Sequence, residues 1–143
     1  MAATTGLEHM ICFELYATSR AITARYRPFL DEAGLTYPQY LVLCVLWHRG
    51  PVTVRDLGHA LHLDSGTLSP LLKRLESHGH LRRERGTADE RTVVVHPTES
   101  AQVLRLQLAD LPRQVAQEAA QGAGLTLDEL RQLHHLLQRV TPA

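Results

Sequence analysis

Apolar positions along the chain recur every three to four residues over most of its length, the period of one helix face, and give way to strand-like runs only between residues 81 and 96. The first segment predicts a long helix from about Thr5 to Asp31, opened by the capping box Thr5-Gly-Leu-Glu8. A second helix is expected to open at the capping box Thr36-Tyr-Pro-Gln39, with proline in the first turn, where its missing N–H costs little. Its run Tyr40-Leu-Val-Leu-Cys-Val-Leu-Trp47 is apolar on all sides, which predicts burial, and Gly50-Pro51 ends it. A short helix then follows the capping box Thr53-Val-Arg-Asp56, a turn falls around Leu61-His-Leu63, and a further helix runs from an N-cap at Asp64 or Ser65 to Gly79. Two helices joined this way outline a helix-turn-helix.

In the second of these helices Leu68, Leu71, Leu72 and Leu75 are spaced to bury one face, which leaves Ser65, Thr67, Ser69, Lys73 and Arg74 for solvent or a partner. Beyond it, Leu81-Arg-Arg-Glu-Arg85 and Arg91-Thr-Val-Val-Val-His96 can pair as a β-hairpin wing around Gly86-Thr-Ala-Asp-Glu90. Thr98 opens a helix expected to reach Gln121, with Val103, Leu104, Leu106, Leu108 and Leu111 on its apolar side and Pro112 as a kink. The last helix opens at Thr126-Leu-Asp-Glu129 and carries a stripe of Leu130, Leu133, Leu136, Leu137 and Val140. These terminal stripes exceed what one small core needs. The surplus predicts a two-fold interface between copies through the first helix and the two C-terminal ones. The expected fold is thus mainly α with a small β-hairpin wing, a winged helix-turn-helix in an intertwined dimer. It is one domain over 1–143, with dimerisation helices at about 5–31 and 98–141 and the winged helix-turn-helix at about 36–96.

Composition adds bounds. A chain of 143 residues, 44% hydrophobic and 21% charged, is ordinary globular protein with room for one core. No apolar run approaches the roughly 18 residues of a membrane span, and the N-terminus lacks the layout of a secretory signal, so a cytoplasmic protein without membrane contact is expected. Two cysteines make no disulfide framework, and a reducing compartment would keep both as thiols. Fifteen Lys+Arg against fifteen Asp+Glu give zero net charge, which removes the usual footprint of a nucleic-acid binder and leaves the case to motif geometry.

That geometry suits double-stranded DNA. A winged helix-turn-helix lays its second helix in the major groove, where Asp64, Ser65 and Thr67 can meet base edges or phosphates, with Ser69 on the same exposed surface and Lys73 and Arg74 in reach of phosphate. Arg91 at the wing can enter a narrow minor groove, supported by Asp89. A two-fold dimer would read an inverted repeat. Against this stands a winged-helix interaction module whose serine and threonine are only caps.

Cys12 and Tyr16 share a helix face, four residues apart. Tyr26 lies fourteen residues from Cys12, back on nearly the same face yet roughly 21 Å along the axis. The two cannot meet within one helix, but antiparallel pairing of two copies brings Tyr26 of one chain to Cys12 of the other. A free thiol is only about 3% thiolate at pH 7, and peroxide attack needs the thiolate. With the helix starting near Thr5, Cys12 would sit too deep for the dipole to help, which leaves tyrosine hydroxyls as the activating donors. An apolar surround of Ile11, Phe13 and Leu15 would favour organic hydroperoxides. On spacing alone an inert core cysteine is the favoured reading of Cys12, and Cys44, inside the apolar second helix, reads as structural.

The stretches Cys12-Phe-Glu-Leu-Tyr16, Tyr26-Arg-Pro-Phe-Leu30, Leu35-Thr-Tyr-Pro-Gln-Tyr40, Leu63-Asp-Ser-Gly-Thr-Leu68 and Asp89-Glu-Arg91 resemble the MarR family, specifically its organic-hydroperoxide-sensing branch. The resemblance covers nearly the whole chain up to the wing, while the C-terminal helices match only in pattern. It implies a repressor in which Cys12 is the redox-sensing residue, Tyr16 and the partner's Tyr26 bond its sulfur, and Asp64, Ser65, Thr67 and Arg91 face DNA. No cysteine follows Cys44, so the chain resembles the one-cysteine type, in which a sulfenic acid at Cys12 is capped by a low-molecular-weight thiol or oxidised further. No cofactor is implied. A thiol peroxidase using Cys12 lacks a resolving cysteine, and a repressor released by a phenolic ligand remains the other alternative. His59 with His62, and the pair His134-His135, invite a metal, but no set has structural zinc spacing and none is expected.

Overall fold

The computed structural model describes Gly6 and residues 9–141. Among these residues the order is α1 (Ile11–Ala33), α2 (Tyr37–Arg49), β1 (Val52–Thr53), α3 (Val54–Leu61), α4 (Ser65–Ser77), β2 (Leu81–Arg85), β3 (Val93–Pro97), α5 (Glu99–Leu108), α6 (Leu111–Ala123) and α7 (Leu127–Val140). The chain divides into two compact units. One, the reading unit, is Tyr26–Ala109; the other, the terminal unit, takes the residues up to Arg25 and those from Asp110 onward.

The reading unit is built around α2. Thr36 and Gln39 form the expected reciprocal cap, which starts the helix, and Tyr40, Val42, Leu43, Leu46 and Trp47 are buried along it. Two polar tips in this apolar surface are satisfied: Tyr40 Oη donates to the Leu108 carbonyl at 2.7 Å, and Trp47 Nε1 to the Ala101 carbonyl at 2.9 Å. Both bonds tie α2 to α5. Leu57 of α3 and Leu68, Leu72 and Leu75 of α4 complete the core, while Leu71 is only half-buried. Each such leucine contributes about 1.5–3 kcal/mol by leaving water.

The turn between α3 and α4 explains Gly58. A Cβ there would lie 3.0 Å from the Leu63 carbonyl oxygen, so any other residue would push that carbonyl back by a few tenths of an ångström. His62 caps α3 in the left-handed region at φ 53°. Asp64 is the N-cap of α4.

The wing is a three-stranded antiparallel sheet of order β1-β3-β2, where the sequence had suggested only a hairpin. Val95 pairs with Arg83 on one side and Val52 on the other, and with Leu81 it is buried. β1 has two residues, too few for any alternation to announce it, and Thr53 also serves as the N-cap of α3.

The terminal unit departs from expectation in two places. Helix α1 starts at Ile11 rather than near Thr5, and the residues of that capping box other than Gly6 lie outside the described ones. The helix foreseen over Thr98 to Gln121 is two, α5 and α6, separated at Ala109 and Asp110; Pro112 sits in the first turn of α6, so it begins a helix instead of kinking one. Helix α6 buries Leu111, Val115 and Ala120 and ends at Gly124, in the left-handed region at φ 67°. Helix α7 has its expected capping box, Thr126 with Glu129, but buries no residue at all. Among the described residues no helix is long and apolar enough to cross a membrane.

Candidate nucleic-acid interface and thiol site

Helix α4 is oriented by its apolar face, and its opposite face is therefore fixed as well. Ser65, Thr67, Ser69, Lys73 and Arg74 are all exposed. Asp64 Oδ1 accepts the Thr67 backbone N–H at 2.7 Å, and bonds from Thr67 hold the Asp64 carboxyl below the usual carboxylate range. Asp64 thus shapes the helix end at which Ser65 and Thr67 present their hydroxyls.

The tip of the wing is organised by Asp89. Its Oδ1 accepts the backbone N–H of Arg91 at 3.0 Å and its carbonyl accepts Thr92 N–H at 3.0 Å, while Gly86 N–H donates to the Thr92 carbonyl at 2.7 Å. Asp89 therefore fixes the chain at Arg91 and leaves the guanidinium exposed. The other wing arginines differ. Arg82 pairs with Glu84, which also meets His96 Nε2 at 3.3 Å, and Arg83 turns to Glu76 of α4 at 2.7 Å. Among the described residues, Arg85 and Arg91 form no ion pair. Nothing in the sequence singles out Glu76, since no helix or strand period links positions 76 and 83.

Cys12 is the second residue of α1 and is exposed, flanked by exposed Ile11, Phe13 and Leu15. This corrects the reading that put it two turns inside the helix: Cys12 lies in the first turn. Tyr16, one turn on, is 61% exposed, with the Arg20 guanidinium 5.5 Å from its ring centre.

Tyr26 belongs to the reading unit and is buried. Its ring lies edge-on to Tyr37 at 5.0 Å and tilted against Tyr40 at 5.8 Å. Burial pushes the Tyr26 phenol up to about 12, helped by Tyr37 and then Cys44 nearby. Among the described residues its hydroxyl forms no hydrogen bond. Tyr37 was not picked out as a site residue, although it lies in the quoted Thr-Tyr-Pro-Gln-Tyr stretch. Cys44 is half-buried; burial raises its thiol, against a smaller opposing effect of a bond to Tyr40. Among the described residues no three His, Cys, Asp or Glu side chains gather as a metal site.

A helix-turn-helix whose second helix has a polar outer face, followed by an antiparallel wing with an exposed arginine at its tip, defines a winged helix-turn-helix regulator of transcription. The family described as transcriptional regulator SarA/Rot matches residues 24–106. The chain belongs to this MarR/SarA type of DNA-binding regulator. It is 42% identical over 131 residues to the organic hydroperoxide resistance transcriptional regulator of Bacillus subtilis (strain 168), covering 92% of this chain and 86% of that one. It is 36% identical to the HTH-type transcriptional regulator MgrA of Staphylococcus aureus, over 100% of this chain and 95% of MgrA. Among solved structures it is similar to reduced AbfR bound to DNA, with 34% identity, a TM-score of 0.76 and coverage of 94% of this chain and 91% of AbfR. Overoxidized AbfR bound to DNA matches at 33% identity and TM-score 0.74, over 94% and 90% of the two chains. The expected family and winged-helix fold are therefore correct.

Proposed function

We propose that this regulator is a repressor that senses organic hydroperoxides through Cys12 and releases its operator when that sulfur is oxidised. The observation that carries the reading is an exposed thiol in the first turn of α1, set among apolar side chains that the chain itself leaves uncovered. The kinship with an organic hydroperoxide resistance regulator and with AbfR supports it. The uncovered apolar side chains of α1, α5 and α7 pack against a second copy, making a homodimer in which Tyr26 of one subunit faces Cys12 of the other, with Tyr16 beside it. Tyr26 keeps its proton throughout the physiological range and donates a hydrogen bond to the thiolate.

The chemistry is stoichiometric, a single event per thiol without enzymatic turnover. The thiolate sulfur attacks the terminal peroxide oxygen, the O–O bond breaks, and the alkoxide takes a proton and leaves as the alcohol. The sulfenic acid at Cys12 then condenses with a low-molecular-weight thiol, releasing water, or is oxidised further. The modified sulfur no longer accepts the bonds from the phenols, and the rearranged interface carries the recognition helices out of register with the two half-sites. On DNA, Ser65, Thr67 and Ser69 meet base edges or phosphates, Asp64 holds that helix end, Lys73 and Arg74 meet phosphate, and Arg91 enters the minor groove with Asp89 fixing its backbone. The operator is an inverted repeat.

A gel shift on the DNA upstream of the protein's own gene tests this, with reduced and cumene-hydroperoxide-treated protein side by side. The wild type is expected to release DNA on oxidation and Cys12→Ser to remain bound. Release of the serine variant by peroxide would refute the thiol mechanism.

A further inference from the structure

The wing arginines invite assignment to the phosphate backbone as a group, since each is positive and exposed. Their geometry separates them. Arg83 turns away to α4, where its Nε and Nη2 donate to Glu76 Oε2 at 2.9 and 2.7 Å and its backbone N–H donates to Oε1 at 3.1 Å. Both carboxylate oxygens are thus engaged by one residue, through main chain and side chain together, a forked and charge-assisted grip that fixes position and orientation. The Glu76 carboxyl is held below the ordinary range, chiefly by these Arg83 bonds, so it stays charged wherever DNA is bound.

The grip spans the turn from α4 to β2, in which Thr98 also donates to the Gly79 and His80 carbonyls. Helix α4 ends at Ser77, β2 starts at Leu81, and Gly79 between them is left-handed at φ 79°. Leu81, at the near end of β2, is anchored by burial and by pairing with Pro97. Further along, β2 offers only exposed side chains, and the tip beyond it holds Arg91. A small change in the angle between α4 and β2 is therefore magnified at the tip.

We propose that Glu76 and Arg83 are a positioning pair that sets the reach from the recognition helix to the wing, so that Ser65, Thr67 and Arg91 engage one duplex together, and that Arg83 itself makes no phosphate contact. This rests on the reading that α4 and the wing tip face DNA. Its consequence is specific: losing the pair harms selection of the operator more than adhesion to DNA. Random sequence can be held by either surface alone, whereas the operator needs both in register.

The test measures binding of the full-length reduced protein to an operator duplex and a random duplex across a salt series. Arg91→Ala is the reference, because loss of one phosphate-region contact per subunit flattens the log–log salt slope by about 1.8 per dimer. Arg83→Ala is expected to leave that slope unchanged, to weaken operator binding about tenfold and to leave random binding as it was. Glu76→Gln keeps the shape of the side chain while releasing the Arg83 charge; it is expected to lower the operator-to-random ratio and steepen the slope. Arg83→Lys keeps the charge without the fork and should resemble Arg83→Ala in that ratio. A flattening by Arg83→Ala as large as that of Arg91→Ala, or equal losses on both duplexes, would overturn the positioning role. Failure of the DNA-facing reading has a different signature, an Arg91→Ala protein indistinguishable from wild type on both duplexes.

Discussion

In the reading unit Leu57, Leu68, Leu72, Leu75 and Val95 are each at most 1% exposed, whereas in the terminal unit Leu127, Leu133, Leu136 and Val140 are 60, 43, 46 and 70% exposed. Apart from Val95, which lies in β3, the two sets have the same chemistry and the same helical periodicity. What differs is whether the chain supplies a cover. The reading unit closes its own core and satisfies the polar tips inside it, while α7 is an amphipathic helix of fourteen residues with no buried side chain. A helix of this length is marginal in water without packing, and the proposed second copy would cover its stripe.

This contrast can be broken from either side. The largest effect is expected inside the reading unit, where Leu75→Ala removes a side chain with no exposed surface and should cost about 2–5 kcal/mol in urea denaturation. A loss below about 0.5 kcal/mol would mean the core is not closed as described. Next comes the terminal unit: Leu133→Asp with Leu137→Asp leaves the reading unit untouched but should convert dimer to monomer in light scattering. Operator affinity should then fall about 100-fold, because each half-site is bound singly. A dimer of undiminished affinity would show that the α7 stripe is covered otherwise.

A smaller effect sharpens the picture of α2. Tyr40→Phe leaves the Leu108 carbonyl without its donor and should cost about 1 kcal/mol, read as a lower urea midpoint with unchanged slope. The smallest concerns acid. Asp64, Glu76 and Glu129 are each held below their ordinary ranges by hydrogen bonds. Their contribution is complete above the unfolded values near about 4 and disappears as pH falls through the lower folded values. The melting temperature should therefore decline on acidification through that range, and Glu129→Gln should flatten the decline; a rise would contradict the bonds.

The contrast also governs what could be read from sequence. Helix α2, its capping box and the face of α4 were legible because local rules and burial agree there: Thr36 and Gln39 cap, Leu68, Leu72 and Leu75 bury. The start of α1 was not, because Thr5-Gly-Leu-Glu8 satisfies a capping pattern that says nothing about where the helix actually begins at Ile11. That misplacement carried over to Cys12, which it put two turns inside the helix. The break between α5 and α6 was hidden for a related reason: a proline inside a periodic stretch marks a kink or a fresh start equally well, and only the packing of Leu108 and Leu111 decides. The Glu76–Arg83 grip and the Tyr26–Tyr37 contact join residues across turns, where no period points from one to the other.

The central claim is that the reactive sulfur and the phenol that serves it come from different subunits, and a mixed dimer tests it most directly. Cys12→Ser and Tyr26→Phe chains, carrying different tags, are co-expressed and the heterodimer is purified, so that one site joins an intact Cys12 to an intact Tyr26 across the interface while the other has neither. Under limiting cumene hydroperoxide, sulfenic acid formation by mass spectrometry is expected at one thiol per dimer with the wild-type rate. A heterodimer whose one remaining Cys12 reacts only as slowly as the Tyr26→Phe homodimer would contradict it.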